Sequence, residues 1–590
     1  MMNTNLTSIA ATTLRGFRLA AASALILGVV ACGGGGGETT PVTDVSVSPS
    51  GLRPLTPDFI NRRAVNYSPY ATATSAEDRV NEVITDAGVL RDLNLLLEAG
   101  IGMIRLFDSD EKVAQRVLRV IQNNDLDMKV YLGMWMGGAD PDGNQAQMAY
   151  GVALANTFKD IVVAVSVGNE SLVSWSGHKM DPKELASNIT TVRSQISQPV
   201  TTDDNWAYYA AADRAVIDAI DFAAVHTYAM VDTHYLPNPW DWKQLGESDL
   251  SKRAAAMMDA AMVATTNDYN AARAFLDKVG RVDMPIVIGE TGWMAKDPGA
   301  GWYTLLAAPV NQKMYLERLM AWADEGRNGA GPKNVFYFEA FDEPWKGSDD
   351  GWGLFTVDRE ARCSAQSLNP TATWAKTTDS CTDADAVYYA PPVLNAAVTG
   401  TPVIHSEAVT GWPTGLRSDA YEGNTFTLEY PATGDSADTD PGNHYIRLSN
   451  FAPKAYGWGL LWQSDVTPAL TLNMSNFSNG AIHFSVKTGY TGKLRVGISS
   501  DTESRQGAEA FVIVSDNDEY GYCTDSNQWC DVSIPLSAFQ AANPELDLRY
   551  VRIGFSISDV YDSTGNTDAT GKPEIRLDNI YWAQEVAGGG

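Results

Sequence analysis

Between Arg63 and Phe355 the chain repeats one alternation, a short apolar run of strand length followed by a longer stretch with helical periodicity. The strand candidates are 64–67, 102–107, 129–135, 162–167, 200–202, 222–228, 285–289 and 335–341. Apolar residues at helical spacing mark 78–99, 111–123, 145–160, 182–197 and 312–324. Eight strands, each followed by a helix, is the count of an α/β (β/α)8 barrel, the TIM-barrel arrangement. The stretch 231–282 after the sixth strand reads as one long insertion with extra helix and a Trp-rich loop. Near Tyr388 the pattern changes. Short alternating runs at 425–430, 481–486, 493–498, 511–514 and 550–557 are punctuated by Thr, Ser, Gly and Asp, which predicts an all-β, antiparallel sandwich. The expected organisation is a catalytic barrel over 59–386 and a sandwich over 387–590.

A chain of 590 residues is too long for one compact core, so two domains suit it. With 44% hydrophobic residues, global disorder is excluded. A net charge of −29 argues against a nucleic-acid partner, since nothing here would neutralise phosphates, and it suits a neutral or cationic ligand. At the N-terminus Arg15 and Arg18 precede an apolar run from Leu19 to Ala31, the length of a signal-peptide core and too short for a permanent span. The run ends Val29-Val30-Ala31-Cys32, which resembles a bacterial lipobox. The expectation is a signal peptide over 1–31, lipid on Cys32, and an exported lipoprotein at the outer membrane or cell surface; an ordinary signal peptide cut near Ala31 is the alternative. Gly33 to Gly37 open a flexible tether read as extending to residue 58. The other cysteines fall in two near pairs, Cys363 with Cys381 and Cys523 with Cys530, which suit disulfides in an oxidising compartment. The first pair would staple the barrel edge. No cysteine pair has zinc-ligand spacing with histidines, so no metal is expected at the site.

Catalytic groups of such barrels come from the C-terminal ends of the strands. The fourth strand closes on Val167-Gly168-Asn169-Glu170 and the seventh on Gly289-Glu290-Thr291-Gly292-Trp293. An apolar strand ending in a carboxylate needs a polar cleft or a partner. Carboxylates on strands four and seven face each other across the mouth, the arrangement used for glycoside hydrolysis. A Ser-His-Asp hydrolase is excluded for want of a Gly-x-Ser-x-Gly elbow. No glycine-rich loop has the context of a phosphate cradle, and no cofactor is expected to be required.

Taken together, Arg105-Leu106-Phe107-Asp108, Val167-Gly168-Asn169-Glu170, Gly289-Glu290-Thr291-Gly292-Trp293 and Glu339-Ala340-Phe341-Asp342-Glu343-Pro344-Trp345-Lys346 resemble glycoside hydrolase family 17. That family holds β-1,3-glucanases and related glucanosyltransferases on a (β/α)8 barrel. The resemblance covers about half the chain, from Ala64 to Phe355. It implies retaining cleavage of a laminarin-like β-1,3-glucan, with Glu170 as acid/base and Glu290 as nucleophile. A glucanosyltransferase using the same pair is the enzyme alternative, and a non-catalytic glucan-binding surface lipoprotein is the rival of another class.

Ionised Glu290 is expected to help neighbouring Glu170 hold its proton. Asn169 is expected to meet the sugar 2-hydroxyl, and Tyr228 to donate its phenol to Glu290 or else simply to pack. His226 lies on the same face of the sixth strand at the mouth. Glu343 and Lys346 are implied to sit near the acid/base and tune it, with a surface salt bridge as the alternative. Asp349 and Asp350 stand where the family usually has another glutamate. Arg105 and Asp108 either reach the sugar or brace the barrel mouth. Trp293 and Trp345 are the chosen sugar platforms, ahead of Trp135, Trp206, Trp240 and Trp242.

The ending Ile575-Arg576-Leu577-Asp578-Asn579-Ile580-Tyr581-Trp582 resembles jelly-roll carbohydrate-binding modules. Candidate ligand rings there are Trp412, Trp458, Trp462, Tyr520, Tyr522 and Trp529, with plain packing or a spacer role as the alternative. Asp/Asn-rich loops near 516–519 and 562–568 leave room for a structural calcium ion. The expected partner is a β-glucan polysaccharide or oligosaccharide, and the expected state is a monomer.

Overall fold

The computed structural model describes residues 51–584 except 234–238, 298–305, 347–350, 391–392, 407–411, 414–415, 421–425, 434–436, 438–443, 452–457, 465–470, 501–507, 517 and 560–572. Cys32 and the signal segment, Asp349, Asp350, and the 562–568 loop lie outside the described residues. No helix among the described residues is long and apolar enough to cross a membrane.

Eight parallel strands close into a barrel in sequence order: β1 Arg63–Asn66, β2 Ile101–Leu106, β3 Lys129–Met134, β4 Val162–Asn169, β5 Val200–Asn205, β6 Ala223–His226, β7 Ile286–Thr291 and β8 Val335–Tyr337. Pairing of Ala64 with Phe336 completes the ring. Two boundaries differ from the sequence reading in ways that matter. Strand β5 runs on through Asp203 and Asp204, both fully buried. Strand β8 stops at Tyr337, after which the chain turns across the mouth toward Glu339.

The helix read over 78–99 is two helices, Ala76–Asn81 and Asp86–Glu98. Between them the Glu82 carboxylate accepts the backbone N–H groups of Ala71, Thr72 and Ala73, and Thr85 caps the second helix. The insertion contributes one helix of 29 residues, Leu250–Lys278.

The end of the segment read as tether is packed from the first described residues. Leu52 and Leu55 are buried, and Arg53 donates to Asp221 and to the carbonyls of Arg193 and Gln198. Phe59, on the helix Pro57–Asn61, plugs the barrel floor. Its ring lies 5.6–5.7 Å from those of Tyr131, Phe222 and Phe336. This closes the floor with apolar contact and leaves the polar interior to the opposite end.

After the barrel, Cys363 and Cys381 form a disulfide with Cα atoms 5.4 Å apart. The stapled stretch lies against the barrel through the Arg362–Asp342 ion pair and a hydrogen bond from Trp374 to Glu98.

The second domain packs two antiparallel sheets. Its strands are β9 Val403–His405, β10 Arg417–Ala420, β11 Thr427–Thr433, β12 His444–Ser449, β13 Gly459–Gln463, β14 Ala481–Thr488, β15 Leu494–Ser500, β16 Glu509–Val514, β17 Cys530–Pro535, β18 Val551–Asp559 and β19 Ile575–Ala583. One sheet has the order β10-β13-β18-β15-β16, the other β11-β12-β19-β14-β17 with β9 on β19. A short helix, Leu536–Ala542, interrupts a region read as all strand. Cys523 and Cys530 are paired.

Trp412, Trp458, Trp462 and Tyr522 are buried in the hydrophobic core of this domain, so they are not ligand rings. Trp462 on β13 and Trp458 just before that strand both point inward. Tyr520 and Trp529 remain half-buried. Asp516 and Asp518 accept backbone N–H groups of Thr524, Ser515, Tyr520 and Tyr522, and so organise their own loop.

Candidate active site

The mouth of the barrel gathers polar side chains from almost every strand. Strand β4 ends in a backbone twist that presents two of them. Gly168 has φ +95°, a conformation L-residues avoid, and Glu170 has φ +46°. The Glu170 N–H donates to the Asp203 carbonyl at 2.8 Å, which fixes that turn. Left-handed backbone at a non-glycine residue is strain of the kind found where function needs a side chain aimed. Glu170 is partly open, its side chain 21% exposed, whereas Asn169 is buried.

Glu290 ends β7 almost fully buried and is held from two sides. Arg105 Nη1 donates to Oε1 at 2.7 Å, and the Tyr228 hydroxyl donates to Oε2 at 2.8 Å. Arg105 is itself buried and also donates from Nη1 to Asn66 Oδ1 at 2.9 Å and from Nη2 to Asn169 Oδ1 at 2.5 Å. It also pairs with Asp203 at 3.2 Å. Of the two roles left open, Arg105 therefore braces the mouth and grips the carboxylate directly. Burial, and then the charges of Asp203 and Glu290, act on it in opposite senses; the two carboxylates win and push its pKa up.

His226 is the second buried cation. Its Nδ1 lies 3.0 Å from Glu170 Oε1 and 3.6 Å from Glu290 Oε2, and its Nε2 lies 3.6 Å from Asp203 Oδ1. Burial opposes protonation, but the charge of Glu290 and the contacts with Asp203 and Glu170 push the pKa up to about 10. Asp203 is moved the other way. Burial would raise it, and Arg105 with His226 holds it below the usual carboxylate range. Burial and the charges of Glu290 and Glu170 push the Tyr228 phenol well up, so it keeps its proton and remains a donor.

Glycine makes this crowding possible. A Cβ on Gly289 would stand 2.5 Å from Asp203 Oδ1 and 3.1 Å from the His226 ring.

Glu170, His226 and Glu290 bring one ligand-type atom each within 4.8 Å of one another. Within the trio, His226 Nδ1 and Glu170 Oε1 are at hydrogen-bond distance, 3.0 Å apart.

A second group sits beyond β8. Lys346 bridges Glu339, at 3.2 Å, and Glu343. Burial raises the Glu343 carboxyl, but Lys346 and hydrogen bonds bring it below its ordinary value. Trp345 donates its indole N–H to Glu343 at 3.0 Å and lies under the Arg79 guanidinium, 4.3 Å away. It is buried, and its expected role as a sugar platform is corrected to holding Glu343.

The same correction applies to Trp293. It is wholly buried behind β7, donating to the Leu306 carbonyl and packed 5.3 Å from the Tyr315 ring. Trp242 is buried against Tyr389, and Trp240 donates to the Ala229 carbonyl. Trp135 and Trp206 stay half-buried.

Asp108 is drawn into neither carboxylate pair. Burial and the neighbouring Asp110 charge raise it to about 7, and its Oδ1 has no hydrogen-bond partner.

The residues missed by sequence reasoning are Asn66, Tyr131, Asp203 and Glu339. Tyr131 donates to Asp203 at 2.8 Å, and Asn66 donates to the Gly289 carbonyl at 3.2 Å. Each stands on a barrel strand or just past its end, so the rule that selected Glu170 and Glu290 would have selected Asp203 and Glu339 too.

Residues 64–356 match the BtgE/BtgC glycoside hydrolase domain, and residues 402–584 match carbohydrate binding domain 30. A glucan 1,3-beta-glucosidase of Arthroderma benhamiae is 29% identical over 258 residues, 40% of this chain and 71% of that protein. A probable glucan endo-1,3-beta-glucosidase btgC of Aspergillus flavus is 25% identical over 311 residues, 48% of this chain; the chain spans only 39% of that protein's length. An endo-laminarinase from Formosa Hel1_33_131 superposes with a TM-score of 0.46 at 24% identity, over 51% of this chain and 84% of that one. The chain is a glycoside hydrolase, with a BtgE/BtgC glycoside hydrolase domain at 64–356 and a carbohydrate binding domain 30 at 402–584.

Proposed function

We propose that the chain cleaves β-1,3-glucan with retention of configuration, Glu290 acting as nucleophile and Glu170 as acid/base. The observation that carries this reading is the grip on Glu290 by Arg105 and Tyr228, with a Glu170 oxygen within 4.8 Å across the mouth. Carboxyl groups about 5–5.5 Å apart belong to retaining enzymes, and wider pairs to inverting ones. The linkage is supported by the names of the relatives, which are glucan 1,3-beta-glucosidases.

In the first step the Glu290 carboxylate forms a bond to the anomeric carbon as the glycosidic C–O bond breaks. The Glu170 proton passes to the departing oxygen. In the second step Glu170 takes a proton from water, whose oxygen displaces Glu290 and restores both groups. Asn169 has its side-chain Oδ1 committed to Arg105, which leaves its side-chain N–H groups for the sugar 2-hydroxyl. A sugar hydroxyl in place of water in the second step gives glucanosyl transfer with the same residues.

The second domain raises the local concentration of polymer at the barrel by binding glucan. Lipid on Cys32 would tether the exported enzyme to the membrane; mass spectrometry of the mature N-terminus, with and without Cys32→Ala, tests this.

Proton NMR of the first product from laminarin tests the mechanism. The β-anomer must appear first and later mutarotate, and Glu290→Gln must reduce turnover at least a thousandfold. First appearance of the α-anomer, or an active Glu290→Gln variant, refutes the reading.

A further inference from the structure

Trp175 has no part in the site described above, yet it is the only tryptophan among the described residues left largely open to water, at 61% exposure. It stands in the loop 171–181, which leaves β4 directly after Glu170. The base of that loop is well anchored. Met180 N–H donates to the Ser171 carbonyl at 2.7 Å, Leu172 N–H to Asp204 Oδ2 at 2.8 Å, and Gly138 N–H to the His178 carbonyl at 3.2 Å.

His178 ties the loop to the catalytic strand itself, its Nε2 lying 2.7 Å from the Asn169 carbonyl oxygen. The His178 ring packs on Trp135, with centroids 4.6 Å apart. Gly138 is required there, because a Cβ would lie 2.2 Å from the Lys179 carbonyl oxygen. An indole held in water on an anchored loop forgoes the burial that a residue of its size ordinarily finds.

On the proposed mechanism Glu170 protonates the leaving oxygen, so the loop that begins at Glu170 borders the leaving-group side of the cleft. We infer that Trp175 is a sugar-stacking platform for β-linked glucose units beyond the bond cleaved, and that it selects long chains as leaving groups and as acceptors. Its flat face takes the C–H face of a pyranose. Because this rests on the proposed function, the two readings need separable tests.

The decisive measurement compares kcat/KM on laminarihexaose with kcat/KM on an aryl β-laminaribioside, whose leaving group ends at the first position past the bond. Trp175→Ala lowers the hexaose-to-aryl ratio about five- to tenfold, the loss expected for one aromatic contact, and Trp175→Tyr restores most of it. The same substitution lowers the fraction of transfer products formed at high oligosaccharide concentration. An unchanged ratio, or an equal fall on both substrates, overturns the platform. A wild-type enzyme that cleaves neither substrate refutes the proposed function instead.

Discussion

His226 offers a measurement with a large expected signal. The ring is fully buried, which disfavours its charge, yet Glu290, Asp203 and Glu170 raise its pKa from 6.5 to about 10. A tenfold change in proton affinity on folding is worth about 1.4 kcal/mol, so the protonated ring contributes about 5 kcal/mol to the folded barrel. Since the folded-state value lies above the unfolded one, that contribution is complete below pH 6.5 and is lost as pH rises through 10. Between about pH 7 and about pH 9.5 the loss runs at about 1.4 kcal/mol for each step of one in pH.

The assay is carbon-13 labelling of the six histidines and a titration of their Cε1 resonances, with His226 assigned by its absence in His226→Asn. The expected result is one resonance that titrates near pH 10. Guanidinium unfolding of wild type and variant across the same range should show a stability difference that shrinks as pH rises. A His226 midpoint below pH 8, or a stability difference that is flat in pH, refutes the assignment of a buried imidazolium. Activity gives a third readout. His226→Asn loses the 3.0 Å contact to Glu170 and should reduce kcat about a hundredfold.

Tyr228→Phe removes one charge-assisted hydrogen bond of about 2 kcal/mol from Glu290 while Arg105 remains, so steady-state kcat on laminarin falls about thirtyfold with little loss of fold. Gly289→Ala drives a methyl into Asp203 and His226; thermal unfolding should show a loss of about 2–3 kcal/mol, with activity falling alongside. Replacing Cys363 and Cys381 by serine opens a loop of 18 residues and destabilises the barrel by about 3 kcal/mol in denaturant melts. Trp293→Ala leaves a cavity behind β7 and costs about 3–5 kcal/mol of stability, with no selective rise in KM.

The architecture was legible because barrel strands buried on both faces read as apolar runs, and all eight were found within a few residues of their ends. Glu170 and Glu290 were legible for a related reason, as carboxylates that terminate such runs. Asp203 was not. Two consecutive aspartates look like the end of a strand, and only the pairing of Asp203 with Arg105, Tyr131 and His226 lets β5 continue through them. The tryptophans failed differently. Position at a strand end does not fix which side a ring faces: Trp293 turns outward onto Tyr315, while Trp345 is claimed by Glu343 and Arg79. Trp175 escaped notice because a loop has no periodicity to say whether its tip is covered.

The charges at the mouth explain why a histidine belongs between the two glutamates. Two buried cations, Arg105 and His226, face three carboxylates, Asp203, Glu170 and Glu290. On the proposed reaction Glu170 begins as an acid, so two anions balance two cations. Once Glu290 is esterified and Glu170 has given up its proton, Asp203 and Glu170 carry the charge, and the balance is unchanged. The reaction therefore moves one negative charge from Glu290 to Glu170 and back without altering the total in a poorly solvated site, where an unbalanced charge is expensive. Arg105 pairs with Glu290 and with Asp203, so of the two reacting carboxylates it is placed to stabilise the charge on Glu290. His226, 3.0 Å from Glu170 and 3.6 Å from Glu290, serves both. It follows that His226→Asn should slow glycosylation and deglycosylation alike, whereas Tyr228→Phe, which removes a hydrogen bond that stabilises the Glu290 carboxylate, should fall mainly on deglycosylation, the step in which that carboxylate leaves as an anion. Pre-steady-state burst kinetics with an aryl β-laminaribioside separate the two. A burst amplitude altered by His226→Asn in the same way as by Tyr228→Phe would deny the histidine its double role.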